Sequence, residues 1–203
     1  MMACWLVLAI VAASWQTLDG CSCQWEHPQT LFCKADFVVV GRVQKMFKGN
    51  EYYRSYKIKI RNIFKATPKA RAVLQNGRIL TPIYDSQCGI QLQPKDTYVL
   101  TGRIIHAQAQ VNLCDFYSKW REVTPRQRKG FRLLYQQGCT CKVHMNRFSS
   151  ISPNSCLGQR NMCYEKHGIC LHGEYRRCRW TRAPVLKRCL QQAAANKTMT
   201  TTT

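Results

Sequence analysis

Cys21, Ser22 and Cys23 stand where an apolar leader gives way to the rest of the chain. A half-cystine on each side of one small residue would pin that tripeptide at both ends. If removal of the leader frees Cys21, the pinned segment begins with an α-amine beside a carbonyl in fixed geometry. A rigid chain end of that kind is a ready ligand for a metal held by another protein.

No motif elsewhere in the chain marks a catalytic site; with ten acids a carboxylate pair is possible, but nothing singles one out. A Gly-x-Ser-x-Gly elbow, an HExxH helix and a Walker loop are all missing from the sequence. The five histidines (His27, His106, His144, His167 and His172) are scattered. His167 and His172 lie five apart, one residue off the step that shares a helix face. None reads as a metal ligand, so neither an enzyme nor a resident cofactor is expected.

Of the thirteen cysteines, Cys4 falls in the leader, which leaves an even set of twelve. In a secreted chain a dense, even set reads as a disulfide framework. Zinc knuckles use CxxC, whereas Cys21-x-Cys23 and Cys139-x-Cys141 are CxC pairs with no His pair beside them. The redox CxxC is absent as well.

The leader itself, apolar over residues 3–14, is too short for a membrane span and reads as a signal-peptide core. Small-residue rules allow cleavage after Gly20, with Leu18 against it, or after Ser14, with Ala12 in the matching place. The rules therefore leave the mature terminus open. No later stretch approaches spanning length, so a secreted chain in the extracellular space or matrix is expected.

The 31 basic residues outnumber ten acids for a net charge of +21. All 31 follow the leader and one acid, Asp19, lies within it, so the processed chain carries +22. Such an excess suits a polyanion, and a secreted chain meets sulfated glycosaminoglycan rather than nucleic acid. Lys57, Lys59 and Arg61 on one strand face, and Arg176, Arg177 and Arg179 ahead of Arg182, Lys187 and Arg188, are the candidate contacts for heparan sulfate or another matrix polyanion.

The elements that must position the tripeptide are mostly strands. Residues 21–33 show neither helical nor strand periodicity. Phe37-Val38-Val39-Val40 predicts a strand buried on both faces, and Tyr56, Ile58 and Ile60 alternate with basic residues as a half-buried strand. The turn Lys48-Gly49-Asn50 joins the two as a hairpin, too short to imply a contribution from a long first hairpin. Arg78–Tyr84, with Pro82 at an edge or end, Thr97–Ile105 and Gln108–Leu113 are further strands. Thr124-Pro125 caps a helix that presents Phe131, Leu134 and Tyr135 on one face and stops at Gly138. Five strands and a helix suggest a small closed barrel. Past Cys141 the remaining cysteines must substitute for core, and the tail, Asn196 to Thr203, is polar and reads as frayed, with a glycosylation sequon at Asn196.

Cys21-Ser22-Cys23, His27-Pro28-Gln29, Phe32-Cys33 and Ala35-Asp36 resemble the opening of the tissue inhibitors of metalloproteinases. The likeness continues through Tyr56-x-Ile58-Lys59, Ser86-x-Cys88-Gly89 and Leu113-Cys114-Asp115-Phe116 with Trp120. It then takes in Gly130-Phe131 to Tyr135 and Gly138-Cys139-x-Cys141, in family order. The resemblance implies a mainly β netrin-like module, an OB-type five-stranded closed barrel with flanking helices, followed by a small disulfide-rich C-terminal domain. Leader, inhibitory domain, C-terminal domain and tail would span 1–20, 21–140, 141–190 and 191–203.

By the same resemblance the mature chain begins at Cys21, whose amine and carbonyl would chelate the catalytic zinc of a target metalloproteinase. Ser22 would enter the specificity pocket, within a ridge of Cys21, Ser22, Cys23 and Gln24. Ser86, Gln87, Cys88, Leu113 and Cys114 would flank that ridge, and the pairings Cys21–Cys88, Cys23–Cys114 and Cys33–Cys139 are implied. Trp25 and Glu26 depart from the family pattern, and the C-terminal half matches in its six cysteines and Cys178-x-Trp180 but not in spacing. A heparan-sulfate-binding netrin-like module without inhibitory action is the competing expectation.

Overall fold

The computed structural model describes residues 20–145, 152–159 and 161–200, so the leader lies outside them except for Gly20. Strands β1 (Phe37–Lys48) and β2 (Tyr53–Ala66) form the first hairpin, and helix α1 (Pro28–Lys34) precedes them. Helix α2 (Pro68–Leu74) leads into β3 (Arg78–Pro82), which ends at its proline, two residues short of the expected Tyr84. β4 (Thr97–Ile105) turns tightly into β5 (Gln108–Gln110), and the short β6 (Tyr117–Lys119) flanks β4.

Antiparallel pairing runs from β3 through β2 and β1 to β4 and β5, and Leu80 opposite Gln110 joins β3 to β5 in parallel. The five strands thereby close on themselves, and the barrel has no free edge between its first and last members.

The run Val38–Val40 is buried on both faces because it separates two cores. Phe37 and Val39 enter the barrel with Tyr56, Ile58, Ile79 and Leu100. Val38 and Val40 instead pack with Phe32, Val99, Phe131 and Tyr135 beneath the helices. Helix α3 (Pro125–Lys129) supplies much of that second layer, continuing through a π-helical turn, Gly130–Leu134, to Tyr135–Gln137. Thr124 caps it with Gln127 in a reciprocal capping box.

The chain past Cys141 is built on three disulfides, Cys141–Cys178, Cys156–Cys170 and Cys163–Cys189. They staple β7 (Lys142–His144), β8 (Ser155–Leu157), helix α4 (Met162–His167), β9 (Cys170–His172), β10 (Cys178–Trp180) and helix α5 (Pro184–Thr200). Two readings need correction. The segment after Cys23 becomes helical at Pro28, and the polar tail continues α5 to Thr200 instead of fraying.

His27 explains the first of these. Its ring takes the place of an N-cap side chain: Nδ1 accepts from the Gln29 amide at 3.1 Å, and Nε2 donates to the Tyr164 carbonyl at 2.9 Å. That pattern requires the neutral ring, and burial lowers the pKa of His27 from 6.5 to about 4, against the opposing pull of the Tyr164 carbonyl. The unfolded chain binds the proton first, so this group's contribution is complete above pH 6.5 and falls as pH drops towards 4. Between pH 7 and 4 the stability difference between the parent and His27→Asn, measured by urea unfolding, should shrink by about 3 kcal/mol. Parallel pH curves for the two proteins would contradict the assignment.

Candidate functional site

The N-terminal tripeptide lies against two loops and is bonded to each. Cys21 is joined to Cys88 with Cα atoms 5.0 Å apart, and Cys23 to Cys114 at 5.1 Å. The bridges span 67 and 91 residues of sequence, and a loop of that length loses about 4 kcal/mol of unfolded-chain freedom on closure. The Cys21 and Cys23 sulfurs are 3.9 Å apart and those of Cys88 and Cys114 are 3.8 Å apart, so the two disulfides stack as one knot. All four sulfurs are engaged in disulfides, and the cluster offers no thiolate for a metal of its own. Between the pinned cysteines Ser22 is exposed, as is Gln24 beyond them.

Each flanking loop is locally ordered. A 3₁₀ turn at Asp85–Gln87 delivers Cys88 in the left-handed region at φ 62°, where a side chain is disfavoured unless its surroundings hold it. The bridge to Cys21 and the bond from the Leu113 amide to the Cys88 carbonyl, at 2.8 Å, provide that hold. Gly89 follows because a Cβ there would lie 2.3 Å from the Pro82 carbonyl oxygen. Gly89→Ala should cost about 1–3 kcal/mol in a thermal melt, through displacement of the Cys88 loop.

In the second loop the Asn112 side chain accepts from the Cys114 amide and the Asp115 carboxylate accepts from the Asn112 amide, each at 2.9 Å. Burial raises the Asp115 carboxyl to about 6, while the Asn112 amide and Arg103 pull it down. Its contribution is therefore present below pH 3.8 and lost as pH rises through 6, opposite in sign to that of His27.

Behind the ridge, Cys33–Cys139 ties α1 to the end of α3. Gln29, only 1 % exposed, donates to the carbonyls of Gly138 at 3.0 Å and Cys170 at 2.8 Å, and accepts from the Cys170 amide at 2.9 Å. The segment that carries the ridge is thus anchored on barrel loops, on the α3 helix and on the C-terminal half together.

The family model described as Tissue inhibitor of metalloproteinase matches residues 19–180. The "Tissue inhibitor of metalloproteinase" of Drosophila melanogaster is 30% identical over 91% of this chain and 93% of its own length. This chain belongs to the tissue inhibitor of metalloproteinase family. "Metalloproteinase inhibitor 3" of Gallus gallus is 30% identical over 89% of the chain and 93% of that protein, and "Metalloproteinase inhibitor 2" of Homo sapiens is 30% identical over 75% and 74%.

Within this family member, the structure brings Cys21, Ser22, Cys23, Cys88, Leu113 and Cys114 into one cluster, with Ser86 and Gln87 exposed on the adjoining turn. The first hairpin departs from expectation. Its turn is short but its strands run 12 and 14 residues, and the Tyr52 carbonyl accepts from Ile83 at 3.0 Å, one residue before the exposed Tyr84. Tyr52, Tyr84 and Asn112 were missed by sequence reasoning. Of these only Asn112, three residues before Asp115 in a loop, carried a turn signal.

The basic candidates fall into separate groups. Lys59 and Arg61 are exposed on β2, where Arg42 and Lys45 of β1 pair opposite Lys59 and Lys57 and widen the strip. Arg176 and Arg177 are exposed in the β9–β10 loop, and Arg179 is exposed on β10. Neither group is part of the ridge cluster, and family membership favours the inhibitor over a module without inhibitory action. The sequon residue Asn196 lies exposed on α5.

Proposed function

We propose that the chain is a secreted inhibitor of zinc metalloproteinases that acts through the amine and carbonyl of Cys21 after the leader is removed at Gly20. The observation that carries this reading is the double bridge: Cys21 and Cys23 are fixed to two mutually bonded loops while Ser22 stands exposed between them. A catalytic zinc keeps one coordination position open for water. Cys21 would fill it, displacing the nucleophile the enzyme needs. Ser22 would project into the specificity pocket beside the metal, and its small side chain would fill that pocket only partly, which favours breadth over selectivity. Ser86, Gln87, Cys88, Leu113 and Cys114 would meet the enzyme's cleft on either side of the ridge that runs from Cys21 to Gln24, all within an inhibitory unit of residues 21–140.

Pre-ordering is what makes a four-residue ridge sufficient. Side chains and backbone immobilised before the encounter add no ordering cost on binding. The chain itself needs no cofactor and performs no reaction; the zinc belongs to the target.

The test is direct. The amino terminus of the secreted protein is established by mass spectrometry, and the protein is then titrated against a matrix metalloproteinase. A chain beginning at Cys21 should extinguish activity at one equivalent. A chain that begins there, is fully oxidised and leaves the enzyme active would overturn the proposal.

A further inference from the structure

A cavity of about 260 Å³ lies between the turn of the first hairpin, the end of α2 and the β4–β5 turn, and none of the ridge residues lines it. Its polar lining comprises Asn50, Ser55, Asn76, Arg78 and Gln108, with no carboxylate among them. Asn50 Oδ1 accepts from the amides of Tyr52 at 3.1 Å and Tyr53 at 2.8 Å, and Asn76 Oδ1 accepts from the Arg78 amide at 2.7 Å. Those backbone donors dictate which way each side-chain amide points. Asn50 Oδ1 is doubly engaged and Asn76 Oδ1 singly, and each asparagine keeps its N–H₂ group to offer. Arg78 can only donate, and the Lys57 ammonium, on the Asn76 carbonyl at 2.7 Å, adds positive potential beside it. Ser55, 6 % exposed, has a hydroxyl with no hydrogen-bond partner among the described residues. Donors therefore outnumber acceptors along the lining, where Gln108 and Ser55 can do either.

Part of the rim is the tight turn of the β4–β5 hairpin. His106 and Ala107 form the two-residue turn between Ile105 and Gln108, and both are left-handed, at φ 48° and 58°. That turn type ordinarily takes Asn-Gly, and Ala107 faces the cavity.

We propose that this cavity binds a small anionic polyol of the sugar-acid or sugar-phosphate class. Its oxyanion would meet the Arg78 guanidinium and the two asparagine amides, and its hydroxyls would meet Gln108 and Ser55. The volume equals that of roughly nine liquid waters, far more than a lone phosphate fills and enough for one acidic hexose. The charge-assisted fork of an arginine on an oxyanion supplies the selectivity.

The experiment uses the ¹⁵N-labelled full chain, with D-glucuronate and glucose 6-phosphate as probes. Inorganic sulfate, glucose and glucosamine serve as anion-only, neutral and cationic controls. The acidic sugars should shift the Asn50 and Asn76 side-chain amides and the Ala107 and Ala109 backbone amides, and leave Ser22 and Gln24 unmoved. Arg78→Gln, at an exposed position, should weaken that binding about tenfold or more. Ser55→Ala should raise the melting temperature of the free protein by about 2–4 °C, because an orphaned buried hydroxyl is lost, yet reduce the stabilisation each probe confers. No shift at about 10 mM probe, equal shifts with glucose or glucosamine, or undiminished binding by Arg78→Gln would each overturn the site. Sulfate alone reproducing the full response would overturn the sugar class.

Discussion

A chain that keeps one alanine ahead of Cys21 should lose about 10³-fold or more in affinity for a matrix metalloproteinase, a loss of roughly 4 kcal/mol in binding, while remaining folded. The reason lies in the nitrogen. An α-amine has a reference pKa near ~8, so giving up its proton to a metal at neutral pH costs little. An amide nitrogen at the same place has its lone pair delocalised into the peptide carbonyl and is a poor ligand. One added residue, or acetylation of the amine, converts the first into the second without touching a side chain. The fold should not notice: with Gly20 still attached and exposed, both ridge disulfides are formed. Active-site titration gives the affinity and a thermal melt gives the fold. Undiminished inhibition by the extended chain would refute chelation while leaving family membership untouched. Cleavage after Ser14 would leave six residues before Cys21, so a chain processed there should behave as the extended one does.

How much of this could be read from the residues varies with the physics involved. The two-faced burial of Val38–Val40 was legible because a β-branched run of that length has few other uses, and the structure places a core on each side of it. The Thr124-Pro125 cap was legible for a local reason, a hydroxyl acceptor followed by a residue with no amide to satisfy. Thr67-Pro68 carries the same signature and starts α2, so that helix was within reach. Helix α1 was not, because its cap is a histidine ring whose tautomer is set by Tyr164, 137 residues away in sequence. The ridge cysteines were visible as a CxC pair, but their partners followed from family resemblance and not from spacing. The proximity of Tyr52 to the Cys88 loop depends on the register of a long hairpin, with three irregularities in its pairing, which no turn motif encodes.

Gln29→Leu should lower stability by about 3–6 kcal/mol, and the melting temperature by roughly 10–20 °C, more than any other uncharged substitution of similar size near the ridge. The side chain is 1 % exposed and satisfies three backbone groups, the Gly138 carbonyl and both the carbonyl and amide of Cys170. Leucine fills the volume but strands all three away from water, and each buried orphan costs about 1–3 kcal/mol. Water cannot readily replace the amide, because the backbones approach so closely that a Cβ on Gly138 would lie 2.3 Å from the Cys170 carbonyl oxygen. Gln29→Glu separates lost hydrogen bonding from altered packing. Its ionised carboxylate still accepts from the Cys170 amide but faces two carbonyls without a proton to give. Burial and those carbonyls raise the folded pKa of the introduced group above its unfolded value, so its stabilising contribution is present in acid and lost as pH rises through that folded pKa. The deficit relative to the parent, from urea unfolding, should therefore be smaller at pH 4 than at pH 7. A deficit that does not change with pH would show that Gln29 matters for shape alone. Because the Cys21–Cys88 and Cys23–Cys114 bridges hold the ridge independently of Gln29, Gln29→Leu that is still folded at low temperature should inhibit within about tenfold of the parent.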